Sequence, residues 1–182
     1  MKKIISLLLK ITMAFCITAS IPLNVSAVTT NKAENNLTYT DQYGSWTYEL
    51  TDNKKGYRIT GYDQSMTDIE IPSVIDNIPV LEIGANAFWN CKGLTSLIIP
   101  EGIKKIGAGV YEDATGIKSV VFSDTIEEIG KQAFSGCTGI TQITIEGKMK
   151  SIGQWAFLGC TNLATVSGIE KVGYIAENAF DG

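Results

Sequence analysis

An aromatic residue recurs every 23 residues through the C-terminal half of the chain. Aromatic residues make up 9% of the sequence, so four further matches at one spacing have a chance probability on the order of 10⁻⁴. The recurring residues are Phe88, Tyr111, Phe134, Phe157 and Phe180. An isoleucine column keeps the same period, at Ile83, Ile106, Ile129, Ile152 and Ile175, and is followed by Gly84, Gly107, Gly130 and Gly153, with Ala176 in the fifth repeat. An internal repeat therefore limits the fold of this part of the chain to a repeating architecture.

Each repeat also carries a Leu-x-x-Leu-x-Leu pattern of apolar residues. The first two apolar positions are Leu94 and Leu97, Ile117 and Val120, Ile140 and Ile143, and Leu163 and Val166. A period of 20–29 residues with this core is the signature of leucine-rich repeats. Because one unit cannot bury its apolar face alone, neighbouring units stack into a continuous core. We therefore predict a repeat solenoid, strand-rich with short helical turns, in which the glycine column allows a tight or positive-φ bend.

The N-terminus has the composition of a secretory signal peptide. Met1-Lys2-Lys3 is basic, an apolar run follows, and Val25-Ser26-Ala27 offers small residues for cleavage after Ala27. The alternative is an uncleaved membrane anchor, but Lys10 interrupts the run and leaves about ten apolar residues where a spanning helix needs roughly 20. We therefore expect a signal peptide over residues 1–27 and no membrane span after its removal. Phe15 before Cys16 argues against a lipid anchor.

Three regions are expected in the mature chain. Residues 28–43 are polar and aperiodic, which indicates a flexible leader. Residues 44–80 are expected to form an N-terminal cap and entry segment, in which Ser45–Leu50 and Tyr57–Tyr62 alternate like two strands of a β-hairpin. Residues 81–182 hold the repeats, of which the last is incomplete.

Two repeats resemble those of BspA-type leucine-rich surface proteins. The resemblance rests on Ile129–Cys137 and Ile152–Cys160, with Ile59–Tyr62, Ile71-Pro72-Ser73 and Ile78-Pro79-Val80 in the entry segment, and covers about residues 57–182. It implies a right-handed superhelix with a concave strand face, on a bacterial cell-surface or secreted protein that takes part in adhesion. It carries no catalytic residues over to this chain. Tyr111 and Ala114 depart from the pattern, since Phe and Cys are usual at those positions.

The residue inventory argues against catalysis and against cofactors. The chain contains no histidine, which excludes Ser-His-Asp and Cys-His arrangements and imidazole-dependent zinc sites. Glu112-Asp113 and Glu127-Glu128 are expected in solvated loops. Cys91, Cys137 and Cys160 share one repeat position; adjacent coils could bring them close, but parallel side chains favour a buried thiol column over a disulfide. With the five aromatic residues they are expected to form the repeat core.

A partner is expected to meet the strand positions between the inward apolar residues. The candidate ligand-facing residues are Thr95, Ser96, Ile98, Lys118, Ser119, Val121, Thr141, Gln142, Thr144 and Thr165. They are rich in hydroxyls and free of the aromatic rings that a sugar platform usually shows. The alternative is that they are only strand-forming residues on a solvated face. Trp89 and Trp155, next to the aromatic column, are weaker candidates for a contact surface.

The charge balance limits the class of partner. Removal of Lys2, Lys3 and Lys10 leaves 12 basic residues against 19 acidic ones, a net charge of −7, which disfavours nucleic acid and anionic membranes. We therefore expect a secreted or cell-surface protein that binds an extracellular protein or cell surface. The alternative is a structural or targeting module of a larger extracellular protein. The strand near Leu163–Val166 would leave an open C-terminal edge. We expect that the chain is a fragment of a longer repeat array, and the alternative is that self-association covers the edge.

Overall fold

A computed structural model describes residues 26–30, 37–64 and 67–182. The predicted signal peptide, including Cys16, lies almost entirely outside the described residues. The N-terminal strands are β1 (Ser26–Thr30), β2 (Leu37–Asp41), β3 (Gly44–Leu50), β4 (Tyr57–Tyr62), β5 (Asp68–Glu70), β6 (Val74–Ile75) and β7 (Ile78–Ile83). The repeat strands are β8 (Ser96–Ile98), β9 (Lys105–Ile106), β10 (Ser119–Phe122), β11 (Glu128–Ile129), β12 (Gln142–Ile145), β13 (Met149–Ile152), β14 (Thr165–Ser167) and β15 (Val172–Ile175).

The repeats form the predicted strand-rich solenoid. The Leu-x-x-Leu-x-Leu segments give β8, β10, β12 and β14, and the last three pair in parallel with a shift of one repeat, as in Val120 opposite Ile143 and Ile143 opposite Val166. The return segment of each coil is a second strand, which ends in the isoleucine column. These return strands, β9, β11, β13 and β15, continue the sheet that contains β4 and β7. Each coil therefore contributes to two sheets.

The core consists of ladders of like residues along the solenoid axis. Neighbouring aromatic rings stack from Phe88 to Phe180 with centroids 5.0 to 5.2 Å apart. Phe88, Tyr111, Phe134 and Phe157 are buried, and Phe180 packs half-buried in the last coil. Because each ring covers its neighbour's face, each additional coil buries apolar surface of the coil before it.

The turns after the glycine column contain little helix. Within the described residues the single helical element is a 3₁₀ turn at Ile169–Lys171. The other bends are hydrogen-bonded turns, as when Trp89 N donates to Asn86 O and Cys91 N to Phe88 O. Two residues of each such bend take positive φ, for example Asn86 at 59° and Asn90 at 59°. The expected short helical turns are therefore tight turns with left-handed residues.

The cap differs from the prediction in its first part. β3 and β4 form the predicted antiparallel hairpin, and β4 joins the solenoid by pairing in parallel with β7. The flexible leader predicted over residues 28–43 is wrong for residues 28–30, which belong to β1 and pair antiparallel with β2. It is also wrong for Leu37–Asp41, which pairs with β3 from Leu37 opposite Tyr48 to Asp41 opposite Gly44. Its polar sequence still supplies partly buried Leu37 and Tyr39 to the core. Backbone pairing with the hairpin edge therefore outweighs the aperiodic composition.

Candidate functional site

The candidate ligand-facing residues lie on one side of the solenoid, which we call the hydroxyl face: the outward side chains of β8, β10, β12 and β14 and of the residues just before them. Strand pairing aligns Ser119, Gln142 and Thr165 in one row. A second row contains Val121, Thr144 and Ser167, and Ile98 holds the equivalent position in β8. Lys118 and Thr141 precede their strands, and Thr141 N donates to Lys118 O.

Accessibility varies across this face. Thr95, Ile98, Lys118, Val121, Thr141, Gln142 and Thr165 are exposed, whereas Ser119 and Thr144 are half-buried. For Ser96 only the backbone is described, and it pairs with Asp68. Between these positions Val120, Phe122, Ile143 and Ile145 point inward and are buried. The alternation follows from the two-residue period of a strand, and it presents the predicted side chains to solvent.

The opposite sheet carries a ladder of alternating charges that sequence analysis missed. Its outward residues align as Glu49, Arg58, Glu82, Lys105, Glu128, Ser151 and Tyr174. We call this side the ladder face. The signal was present, because Glu82, Lys105 and Glu128 are spaced by 23 residues with alternating sign. In an in-register parallel sheet, equal charges at one repeat position would repel each other.

The charges of the ladder face are paired with each other. Arg58 Nε donates to Glu82 Oε2 at 2.8 Å and Nη1 to Glu49 Oε1 at 3.1 Å, and this raises the pKa of the guanidinium chiefly through the Glu82 bond. Lys105 Nζ lies 3.4 Å from Glu128 Oε2. In the adjacent row, the Lys150 ammonium lowers the pKa of Glu127. Glu128 is thus a strand residue, and its expected placement in a loop is wrong.

The hydroxyl face differs in that most of its side chains have no partner. Thr95 Oγ1 donates to Asp68 Oδ1 at 2.9 Å, and Thr141 Oγ1 to Lys118 O at 3.3 Å. Within the described residues, the side chains of Lys118, Gln142 and Thr165 make no hydrogen bond or ion pair. Their polar groups are therefore available to another molecule.

The three repeat cysteines are buried free thiols. Cys137 Sγ donates to Tyr111 O at 2.9 Å and Cys160 Sγ to Phe134 O at 3.2 Å. Burial raises the pKa of Cys91 and Cys160 to about 11 and that of Cys137 further. The Cys137 and Cys160 thiols thus link successive coils, and all three thiols are poor nucleophiles at neutral pH, where the reactive thiolate is scarce.

The two turn tryptophans differ in exposure. The Trp89 side chain is exposed and lines an open groove with Asn86 and Glu112. Trp155 is half-buried, and Lys131 Nζ lies 4.7 Å from its ring centroid. In the described residues no three His, Cys, Asp or Glu side chains are grouped to hold a metal. Nor does any helix there have the length and apolarity to cross a membrane.

Comparison with known proteins agrees with this geometry. The family model described as the BspA type leucine rich repeat region matches residues 81–182 in six copies. A leucine rich cell surface protein from Faecalibacterium prausnitzii A2-165 is 28% identical with a TM-score of 0.59, over 80% of this chain and 46% of that one. This chain thus spans less than half of the F. prausnitzii protein.

Two further solved structures are more distant. A leucine-rich repeat protein from Bacteroides ovatus ATCC 8483 is 23% identical with a TM-score of 0.47, over 70% of this chain and 40% of that one. The T. pallidum leucine rich repeat protein is 22% identical with a TM-score of 0.45, over 71% of this chain and 83% of that one. A search of curated proteins gives no match.

Proposed function

The chain belongs to the BspA-type leucine-rich-repeat family, and from this membership we propose that it is a secreted or cell-surface protein that binds an extracellular protein through its hydroxyl face. The binding serves adhesion or protein recognition and involves no catalysis. The cell-surface description of the F. prausnitzii relative and the signal-peptide composition of residues 1–27 support the location.

One observation carries the choice of face: the charged side chains of the ladder face pair with each other, whereas most polar side chains of the hydroxyl face have no partner. A partner docking on the ladder face would have to desolvate or break existing ion pairs. On the hydroxyl face it would displace only water from groups such as the Gln142 amide and the Lys118 ammonium. New hydrogen bonds there replace bonds to solvent without leaving a protein group unpaired.

The hydroxyl face also offers an apolar centre. Ile98 and Val121 are exposed at equivalent positions of successive coils, beside rows of hydroxyl and amide groups. Protein interfaces commonly combine an apolar centre with a polar rim. A protein surface of matching pattern therefore fits this face better than a highly charged polymer does.

The proposal is tested by binding to immobilised, purified extracellular-matrix and serum proteins, measured by surface plasmon resonance at up to about 100 µM. Val121→Lys places a charge in the apolar centre, and we expect it to weaken the binding of any captured protein at least tenfold. Val74→Lys is the matched control, because Val74 is a strand valine outside this face with 52% exposure against 48% for Val121. Equal loss in both variants, or loss in neither, would contradict the choice of the hydroxyl face.

A second function is favoured by the partial coverage of the F. prausnitzii relative. Here the repeats would be a structural or targeting module that positions other parts of a larger extracellular protein. Under this alternative, none of the immobilised proteins binds the purified chain, although unfolding experiments show it to be folded.

A further inference from the structure

An open groove of about 490 Å³ lies between the end of β4 and the first two turns of the solenoid. Its walls include the indole of Trp89, the carboxamides of Gln64 and Asn86, and the carboxylate of Glu112. The Trp89 side chain is 52% exposed. A large aromatic surface left in water beside polar groups is a common feature of binding sites.

Gly109 lies beside two lining residues of the groove, Asn86 and Glu112. This residue has a φ of 60°, in a column of left-handed residues that elsewhere consists of Asn86, Gln132, Trp155 and Asn178. A Cβ on Gly109 would collide with Asn86 Oδ1 and lie 3.4 Å from Glu112 Oε2. The missing side chain therefore leaves room for the Asn86 carboxamide, whose oxygen approaches the Gly109 backbone near the Glu112 carboxylate.

The chemistry of the lining selects the ligand. The face of an indole ring is electron-rich and attracts the weakly positive C–H groups of a flat apolar surface. The Glu112 carboxylate only accepts hydrogen bonds, whereas the carboxamides of Asn86 and Gln64 both donate and accept. No lysine or arginine lines the groove in the described part of the chain, so an anionic ligand would lack a counter-charge. A neutral sugar has one C–H face, an edge of hydroxyls and no charge. It therefore matches the indole face, the hydrogen-bonding groups and the lack of a counter-charge.

We propose that this groove binds a neutral saccharide, whose ring stacks on Trp89 while its hydroxyls hydrogen-bond to Glu112 and Asn86. The site lies on the turns and not on the hydroxyl face, so it goes beyond the proposed protein-binding function. The two can be tested separately, because none of these residues belongs to the hydroxyl face.

The test follows the indole N–H signals of the ¹⁵N-labelled protein during titration with neutral oligosaccharides: maltopentaose, chitotetraose and mannotetraose. Trp46 is fully buried and Trp155 lies under Lys131, so the three indole signals report on different environments. We expect at least one oligosaccharide to shift the Trp89 signal in a saturable manner. Tetramethylammonium serves as the competing probe, because an indole beside a carboxylate could instead bind a cation.

Two variants and a control locate the binding. Trp89→Ala removes the stacking surface. Gly109→Asn displaces the Asn86 carboxamide, because its Cβ would collide with Asn86 Oδ1, and the same column accommodates asparagine at Asn86 and Asn178 with φ of 59° and 58°. Each should weaken saccharide binding at least tenfold, while Trp155→Ala should leave it unchanged. A shift caused by tetramethylammonium alone, no shift with any oligosaccharide, or saccharide binding that survives in Gly109→Asn would each overturn the proposal.

Discussion

Tyr111 and Ala114 are the two residues at which one coil departs from the repeat pattern of its neighbours. Both are buried in the core. The Tyr111 hydroxyl is buried without a hydrogen-bond partner among the described residues. Burial raises the pKa of this phenol well above 10, and the thiols of Cys91 and Cys137 raise it further. Those thiols flank Ala114 in the cysteine column. We therefore expect the hydroxyl to lie close to the space that a cysteine at position 114 would fill.

This proximity predicts that the two positions are energetically coupled. Tyr111→Phe removes a buried, unpaired hydroxyl and should raise the free energy of unfolding by about 1 kcal/mol. Ala114→Cys alone adds a sulfur atom beside that hydroxyl and should lower it by about 1–3 kcal/mol. The double variant restores the pattern of the other coils and should be the most stable of the four proteins. Urea unfolding of all four gives the coupling energy, and additivity within about 0.5 kcal/mol would contradict the shared space.

The buried thiols predict a loss of stability at alkaline pH. In the unfolded chain a cysteine ionises near pH 9, whereas the folded pKa of Cys91 and Cys160 is about 11. Between these values the folded state holds more protons than the unfolded state, so the free energy of unfolding falls as pH rises. The urea midpoint measured from pH 8 to 11 should decline.

The control for this prediction is Cys91→Ala. This variant should be less stable at every pH because it leaves a cavity. Above pH 9, however, its free energy of unfolding should fall less steeply with pH, because one of the titrating thiols is missing. An unchanged slope would show that Cys91 does not contribute. The slope distinguishes titration from packing, since a cavity alone lowers stability equally at all pH values.

At the level of strands and turns, the sequence predicted the strands with an apolar pattern and missed those without one. β10 and β12 each bury alternate apolar residues, and their segments were predicted as strands. β9 and β11 are two residues long and bury one isoleucine each beside a charged residue. No periodicity can show in two residues, so their strand character depends on pairing with the neighbouring coils. The charge ladder was missed for the same reason, because it exists only across coils.

The structure gives a different reason for the glycine column from the positive φ that the sequence suggests. The sequence allows a tight or a positive-φ bend at these positions, but Gly84, Gly107, Gly130 and Gly153 do not take positive φ. A Cβ on Gly130 would instead lie 2.5 Å from Gly107 C and 2.7 Å from Ala108 N. Glycine therefore permits close stacking of successive coils at these positions.

This explanation predicts a large effect of one methyl group. Gly130→Ala should lower the free energy of unfolding by about 1–3 kcal/mol, because the backbone of the preceding coil at Gly107 and Ala108 cannot move away cheaply. Gly93→Ala is the control, since its Cβ would meet only Thr67 Cγ2 at 3.7 Å and should change stability by about 0.5 kcal/mol or less. Urea unfolding of both variants checks the prediction. Similar effects in the two would indicate a general cost of replacing glycine and not one of coil contact.

For the whole molecule, the two ends of the described solenoid are unequal. At the N-terminal end, β2 and β3 extend the sheet beyond β4 and bury Trp46 and Tyr48. At the other end, β14 and β15 are edge strands of their sheets. Ile143 and Phe157 are buried, whereas Val166 and Phe180, one repeat later in the same columns, are only half-buried. The repeat columns predict apolar residues at these positions of the last described coil, but they do not predict how far each is buried.

We propose that a second copy of the chain can cover this end, with β15 pairing antiparallel to its twofold mate. Light scattering should then show a molar mass that rises with protein concentration. Tyr174, which is 63% exposed on β15, is the residue to change. Tyr174→Glu would bring like charges together across the twofold axis and should keep the protein monomeric at every concentration. Val74→Glu adds the same charge away from this end and should associate like the unmodified chain. If the unmodified chain is monomeric throughout the concentration series, the edge is stable in water and the proposal is wrong.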